Sequence, residues 1–256
     1  MEKEIKQGLV ALEQKHGVRV LYACESGSRA WGFASPDSDY DIRFIYAYPR
    51  ALYLELDEPR DTLELMEGDL DYSGWDIRKA LRLLRTTNPA LLEWLSSPII
   101  YRNRGTLRNE LADLSARYHA PIAIHWHYLK MARSNFAQCI RNPAERGENV
   151  LTKKYLYVMN PLIKLLFFER HHILSPLNFE EALQQIIVPD VVQTAITELL
   201  ILKRSGMEIG RGPADPAVNV WIEQDFARLQ EAVPLPTKHT ELTPLLNAVL
   251  AKVLAR

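Results

Sequence analysis

Two carboxylates that alternate with apolar residues constrain this chain more than any other feature of its sequence. Asp39 and Asp41 begin the segment DYDIRFIYA (39–47), whose β-branched and aromatic residues are typical of a strand. Side chains two residues apart in a strand point to the same face, so the two carboxylates are predicted to lie side by side. Two like charges about 4 Å apart repel by roughly 4 kcal/mol at an effective dielectric constant of about 20. The pattern therefore requires either a protonated carboxyl group or a cation beside the pair.

A turn-rich stretch precedes this strand. Residues 18–24 (VRVLYAC) are predicted to form a buried strand, and Gly27-Ser28 follows it in a turn or at the start of a short helix. A glycine at that point lets backbone N–H groups approach a phosphate closely, a helix N-terminus favours negative charge, and Ser28 adds a hydroxyl donor. Aspartate oxygens are hard ligands that select Mg²⁺ or Mn²⁺. The segment therefore indicates a phosphate site beside a divalent-metal site.

The remaining sequence places strands early and helices late. A third strand is predicted over 63–72, and an amphipathic helix over 76–85 begins with a capping box formed by Ser73 and Asp76. Helical periodicity predicts further helices at 106–118, 121–141, 149–170, 178–187, 190–204 and 216–231, with one more near the C-terminus. We therefore predict an α+β chain with a catalytic domain over residues 1–104 and a helical domain over residues 105–256.

Composition excludes several classes of protein. A net charge of -1 is unlike that of a strongly basic nucleic-acid binder, so any such binding must use a local patch. The two cysteines, Cys24 and Cys139, form no metal or redox motif, which favours a reducing compartment. The longest apolar run, residues 155–168, is too short and too interrupted to span a bilayer. We therefore expect a cytoplasmic protein that does not bind to a membrane.

Charge is distributed unevenly between two regions. Residues 55–71 hold eight acidic residues against one arginine, a local net charge of -7. Residues 130–154 hold six basic residues against two glutamates, a local net charge of +4. An acidic metal centre together with a basic helical surface suits a polyphosphate substrate. Two ordinary solvated faces explain the same charges, and the sequence leaves both explanations open.

The chain resembles a known superfamily at these motifs. Gly27-Ser28 followed by Asp39-Tyr40-Asp41-Ile42 is similar to the signature of the DNA polymerase beta-like nucleotidyltransferases. The segments ESGSRAWGFASPDSDYDIRFIY, LDYSGWDIRKALRLL and NPALLEWLSSPIIY resemble a bacterial and phage branch of predicted nucleotidyltransferases, and the similarity covers about residues 18–185. The resemblance implies a small mixed sheet with flanking helices, three carboxylates, two metal ions (Mg²⁺ or Mn²⁺) and a nucleoside triphosphate. It also implies that the helical domain forms a wall of the substrate cleft.

The resemblance assigns the catalytic and metal-binding carboxylates. Asp39 and Asp41 match the metal-binding pair. The third carboxylate falls on the next strand, where Asp71 in LDYSGWD matches best. Asp69 lies two residues earlier and would face the same side, so it stays open as an alternative.

A second set of residues is predicted to bind the nucleotide. Arg43 shares the face of Asp39 and Asp41, so it can reach a phosphate oxygen or pair with the acidic cluster instead. The predicted nucleotide-binding residues are Gly27, Ser28, Arg29, Arg43, Lys153 and Lys154.

The function implied is that of a nucleotidyltransferase. Such an enzyme transfers a nucleoside monophosphate from a nucleoside triphosphate to an acceptor hydroxyl and releases pyrophosphate. The acceptor can be an RNA end, a protein side chain or a small molecule. The alternative is a non-catalytic nucleotide-binding regulator, or a toxin–antitoxin component, that retains the same fold. The oligomeric state is not predicted.

Overall fold

The computed structural model describes residues 1–206, 210–237 and 239–255 and divides into two compact units. The first unit comprises Met1–Ala30, Ser38–Ala120 and Lys238–Arg256. The second comprises Trp31–Asp37 and Pro121–Thr237. The predicted boundary after residue 104 differs from this division, because two helices downstream of it pack with the first unit.

The secondary structure follows the expected order of strands first and helices later. The strands are β1 (Arg19–Glu25), β2 (Tyr40–Ala47), β3 (Thr62–Glu67), β4 (Leu70–Asp76), β5 (Ile100–Asn103), β6 (Val150–Leu151) and β7 (Arg211–Gly212). The α-helices are α1 (Glu2–His16), α2 (Gly27–Ala30), α3 (Ile77–Arg85), α4 (Pro89–Ser96), α5 (Leu107–Tyr118), α6 (Pro121–Phe136), α7 (Asn142–Glu145), α8 (Lys154–His171), α9 (Phe179–Leu183), α10 (Asp190–Arg204), α11 (Pro216–Glu231) and α12 (Leu242–Leu254). Arg50–Leu54 forms a 3₁₀ helix and Ala137–Arg141 a π-helical segment.

The first unit is built on a five-stranded mixed sheet in the order β3-β4-β2-β1-β5. β2 and β4 pair in parallel, whereas the other neighbouring strands pair antiparallel. The predicted α+β fold with a small mixed sheet and flanking helices is therefore confirmed. The parallel pairing sets β2 and β4, which carry Asp41 and Asp71, side by side.

Helix α1 covers one face of this sheet. Its buried side chains Ile5, Leu9 and Leu12 recur at helical spacing and pack in one cluster with Tyr72 of β4. Burying a large apolar side chain contributes about 1.5–3 kcal/mol, so these three residues hold the helix in place. The helix ends at Gly17, whose φ of 61° is the left-handed conformation that glycine adopts without strain.

Three local predictions differ from the structure. The single strand predicted over 63–72 is a hairpin of β3 and β4, because Gly68 turns the chain at a φ of 59° while the apolar alternation continues on both sides. The short edge strand β5 was not predicted. The capping box is also wrong, because Ser73 lies within β4 and Asp76 alone caps α3 by accepting the N–H of Arg78 at 2.8 Å.

The second unit is helical and surrounds the buried helix α8. The predicted helices are observed here, although 149–170 begins only at Lys154 and 178–187 shortens to Phe179–Leu183. His125 of α6 is buried, with Nε2 3.0 Å from the carbonyl of Leu229, as expected for a packed histidine. Among the described residues, no helix has the length and apolar character needed to cross a membrane.

Candidate active site

The Gly-Ser turn lies directly against the carboxylate of Asp41. β1 ends at Glu25, and the N–H of Ser26 donates to the carbonyl of Asp41 at 2.8 Å, which ties the turn to β2. Gly27 has a φ of 60°, and a Cβ atom built there would lie 1.9 Å from Asp41 Oδ2. Only glycine permits this approach, so the turn and the carboxylate form one site.

The parallel pairing of β2 and β4 brings a second carboxylate to Asp41. The register sets Asp71 directly opposite Asp41. Arg43 joins the two, because its Nη2 atom donates to Asp41 Oδ1 at 2.7 Å and to Asp71 Oδ2 at 2.8 Å. Of the two roles that the sequence left open for Arg43, the structure has it paired with the acidic residues.

Burial and the neighbouring charges together set the pKa of Asp41. Its side chain is 30% exposed, and desolvation raises the pKa of its carboxyl group above the ordinary value. The Arg43 guanidinium opposes this shift of the pKa, whereas the charges of Asp71 and Asp39 add to it. The raised pKa therefore marks a carboxylate that a proton or a further cation would stabilise.

Asp39 and Asp69 lie at the edge of this arrangement. Asp39 precedes β2 and is exposed, and it is close enough for its charge to raise the pKa of Asp41. Asp69 lies in the turn before β4, where its carbonyl accepts the N–H of Tyr40 at 2.8 Å. The geometry therefore pairs Asp71 with Asp41, and the catalytic role of Asp71 stays a prediction.

The donor chemistry of Asp41 and Asp71 fits a divalent cation. Their oxygens are hard ligands, both carboxylates reach solvent, and the guanidinium between them already stands in for a shared positive charge. Within residues 1–206, 210–237 and 239–255, however, no three His, Cys, Asp or Glu side chains are grouped to hold a metal ion. The predicted set of Asp39, Asp41 and Asp71 is thus not preassembled, and metal binding there requires side chains to move.

Glu25 is a site residue that the sequence analysis did not single out. Its side chain is fully buried, Oε1 accepts the N–H of Asp41 at 2.7 Å, and Oε2 accepts the hydroxyl of Tyr101. Burial raises the pKa of Glu25, and its hydrogen bonds from Tyr101 and Asp41 oppose that shift. Glu25 therefore fixes the backbone that carries Asp41. A charged residue at the end of the apolar segment VRVLYACE was the only signal in the sequence.

Glu25→Gln should stabilise the metal-free protein at neutral pH. Because the pKa of Glu25 is higher in the folded than in the unfolded state, wild-type stability falls as the pH rises from the unfolded pKa through the folded pKa. Glutamine keeps an acceptor for the Asp41 N–H without the charge. Urea denaturation in EDTA measures the free energy of unfolding of both proteins. The advantage of the variant over the wild type should be larger at pH 7 than at pH 4, by about 1.4 kcal/mol for each unit by which folding raises the pKa of Glu25. A stability difference that does not change with pH would contradict this.

Arg29 contacts the residues at the start of β2. Its guanidinium stacks 3.7 Å from the ring centroid of Tyr40 and donates to the carbonyls of Ser38 at 2.6 Å and Asp39 at 3.2 Å. Ser28, beside it in α2, is buried. Both residues lie at the site, and the contacts of Arg29 give it a structural role there. Nucleotide binding by Ser28 and Arg29 stays a prediction.

Lys153 and Lys154 belong to the second unit. Lys153 is exposed and immediately precedes α8, and Lys154 Nζ lies 5.1 Å from the ring centroid of Tyr157. The predicted contact of these lysines with phosphates is not tested by these observations.

The chain is similar to a family model, a bacterial protein and a solved structure. The model of the RlaP family, described as the RNA repair pathway DNA polymerase beta family, matches residues 1–252. The uncharacterized protein YcgL of Bacillus subtilis (strain 168) is 37% identical over 252 residues, which span 98% of this chain and 95% of that protein. The crystal structure of a nucleotidyltransferase-like protein from Exiguobacterium sibiricum 255-15 aligns with 90% of this chain and 74% of its own, at 13% identity and a TM-score of 0.29.

Proposed function

The chain belongs to the RNA repair pathway DNA polymerase beta family, and on that premise we propose that it is a metal-dependent nucleotidyltransferase. It transfers a nucleoside monophosphate from a nucleoside triphosphate, such as ATP, to an acceptor hydroxyl and releases pyrophosphate. We propose that it acts in the cytoplasm.

One observation carries the proposal: the carboxylate of Asp41 lies against Gly27 and opposite Asp71 at the same time. Phosphoryl transfer needs little covalent chemistry from the protein and depends on positioning and charge neutralisation. A glycine turn where backbone can approach a triphosphate, next to two facing carboxylates, supplies both requirements.

We assign the metal to Asp41 and Asp71, with Asp39 completing the ligand set. When bound, Mg²⁺ or Mn²⁺ would neutralise the phosphate oxygens and the charge that develops on the pyrophosphate. Asp71 orients the acceptor hydroxyl and takes its proton. The hydroxyl oxygen forms a bond to the α-phosphorus, and the bond from that phosphorus to the pyrophosphate oxygen breaks. Gly27 and Ser28 hold the triphosphate tail.

RNA is the acceptor that we propose. The family description names an RNA repair pathway, which favours an RNA end over a protein side chain or a small molecule. The hydroxyl at the 3′ end of an RNA strand is a nucleophile of the kind that this reaction requires.

The proposal predicts metal-dependent label transfer to RNA. The purified protein is incubated with Mg²⁺ and an RNA that has a free 3′ hydroxyl, in four reactions that each contain one α-labelled nucleoside triphosphate. At least one of these reactions should transfer label to the RNA. An RNA with a blocked 3′ end, addition of EDTA, and the double substitution Asp39→Ala with Asp41→Ala should each abolish labelling. If a protein or a small molecule is labelled and the RNA is not, the acceptor belongs to that class and not to RNA. Triphosphate binding without any transfer would favour the alternative of a non-catalytic nucleotide-binding regulator.

A further inference from the structure

Arg43 is held in place by four acceptors on two strands. Besides the two carboxylates that share Nη2, its Nη1 donates to the carbonyl of Asp71 at 3.0 Å and to that of Ile42 at 3.2 Å. The side chain is 18% exposed. In the metal-free protein the guanidinium therefore lies between Asp41 and Asp71, with both of its Nη atoms bonded to protein oxygens.

A divalent cation and this guanidinium compete for the same oxygens. Oxygen ligands of Mg²⁺ lie about 2.0–2.1 Å from the ion, so an ion that took Asp41 Oδ1 and Asp71 Oδ2 as ligands would have to displace Nη2. Two cations on the same pair of oxygens would also repel each other strongly in a partly desolvated site.

We propose that Arg43 is an exchangeable cation of the active site, an inference that rests on the proposed function. In the metal-free protein it offsets the repulsion between Asp41 and Asp71 and keeps them facing each other. It leaves the pair when a divalent cation binds. The released guanidinium then binds a triphosphate oxygen, for which its paired N–H donors are well suited. Metal entry and triphosphate binding are thereby coupled through one side chain.

The exchange predicts opposite effects on two ligands. Arg43→Gln should bind Mn²⁺ alone about tenfold more tightly than the wild type, because the ion no longer displaces a bound cation. The same variant should bind the metal–triphosphate complex about tenfold more weakly, because one charge-assisted contact to phosphate is lost. Both affinities are measured by isothermal titration calorimetry, with the melting temperature as a check on folding.

Two further variants separate exchange from net charge. Arg43→Lys keeps the charge but lacks the planar fork that bridges both carboxylates, so it should bind Mn²⁺ more tightly than the wild type. It also serves if Arg43→Gln does not fold. Arg102→Gln removes a cation that pairs with Glu13 elsewhere in the same unit, and should leave Mn²⁺ affinity unchanged within about twofold.

The outcomes distinguish the exchange at Arg43 from the metal dependence on which it rests. Equal Mn²⁺ affinity in the wild type, Arg43→Lys and Arg43→Gln would overturn the exchange while leaving a metal-dependent enzyme intact. Tighter binding by Arg43→Gln with Arg43→Lys equal to the wild type would also overturn it, in favour of net charge alone. Failure of every variant to bind Mn²⁺ would overturn the proposed metal dependence itself, and the exchange with it.

Discussion

Gly27→Ala should fold with only a modest loss of stability and yet lose about 100-fold in nucleotidyl transfer. A Cβ atom at this position falls 1.9 Å from Oδ2 and 2.8 Å from Cγ of Asp41. The end of an aspartate side chain can rotate away, so the clash costs little stability, but the carboxylate then leaves its place beside Arg43 and Asp71. The expected damage is therefore to catalysis.

Gly17→Ala is the matched control for this substitution. Gly17 has a φ of 61°, almost the same as the 60° of Gly27, but no heavy atom lies within 4 Å of its Cβ position. Both alanine variants carry the strain of a left-handed residue, about 1–2 kcal/mol, and only Gly27→Ala disturbs the site. Urea denaturation and initial rates should show similar stability losses and an activity loss in Gly27→Ala alone. Equal rates in the two variants would mean that Asp41 does not need its observed position.

The local sequence pattern was sufficient to predict the part of the site formed by Asp41 and the Gly27-Ser28 turn. The alternation around Asp41 predicted β2, and Gly27-Ser28 predicted the turn, because both features arise from residues close together in the chain. The contact between them follows from strand pairing, since β1 and β2 are neighbouring antiparallel strands and the turn begins directly after β1.

The rest of the site depends on pairing between distant residues. Asp71 reaches Asp41 only because β2 and β4 pair in parallel with β3 outside them, and no local signal fixes that register. For the same reason the sequence left two partners open for Arg43, whose choice depends on where Asp71 lies. Glu25 was missed because a charge at a strand end is commonly solvated, and one of its hydrogen-bond partners, Tyr101, lies on the unpredicted strand β5.

Domain organisation was likewise limited by long-range contacts. Helical periodicity located α5 within one residue and predicted a helix near the C-terminus, where α12 lies, but periodicity describes one helix at a time. α12 packs against α3 and α5 packs against α4, so both helices belong with the sheet although they follow it in sequence. A shift of composition along the chain cannot reveal such an assignment.

Asp71→Asn should reduce nucleotidyl transfer by about 10²- to 10⁴-fold, whereas Asp69→Asn should leave it within about twofold of the wild type. Asparagine retains an oxygen that accepts from Arg43 but removes the charge that would hold a metal and take the proton of the acceptor hydroxyl. Asp69, two residues earlier, contributes its backbone carbonyl to Tyr40, and that contact does not depend on its side chain.

Stability separates a catalytic role of Asp71 from a structural one. The charge of Asp71 raises the pKa of Asp41, which means that the two ionised carboxylates repel each other in the folded protein. Removing that charge relieves the repulsion but also weakens the ion pair with Arg43, so the two effects oppose each other. Asp71→Asn should therefore stay within about 1 kcal/mol of the wild-type stability at pH 7 while its rate falls. Initial rates and urea denaturation of both variants test this. A larger loss of activity in Asp69→Asn than in Asp71→Asn would identify Asp69 as the third catalytic carboxylate. An Asp71→Asn protein that is both inactive and markedly destabilised would show that Asp71 stabilises the fold instead.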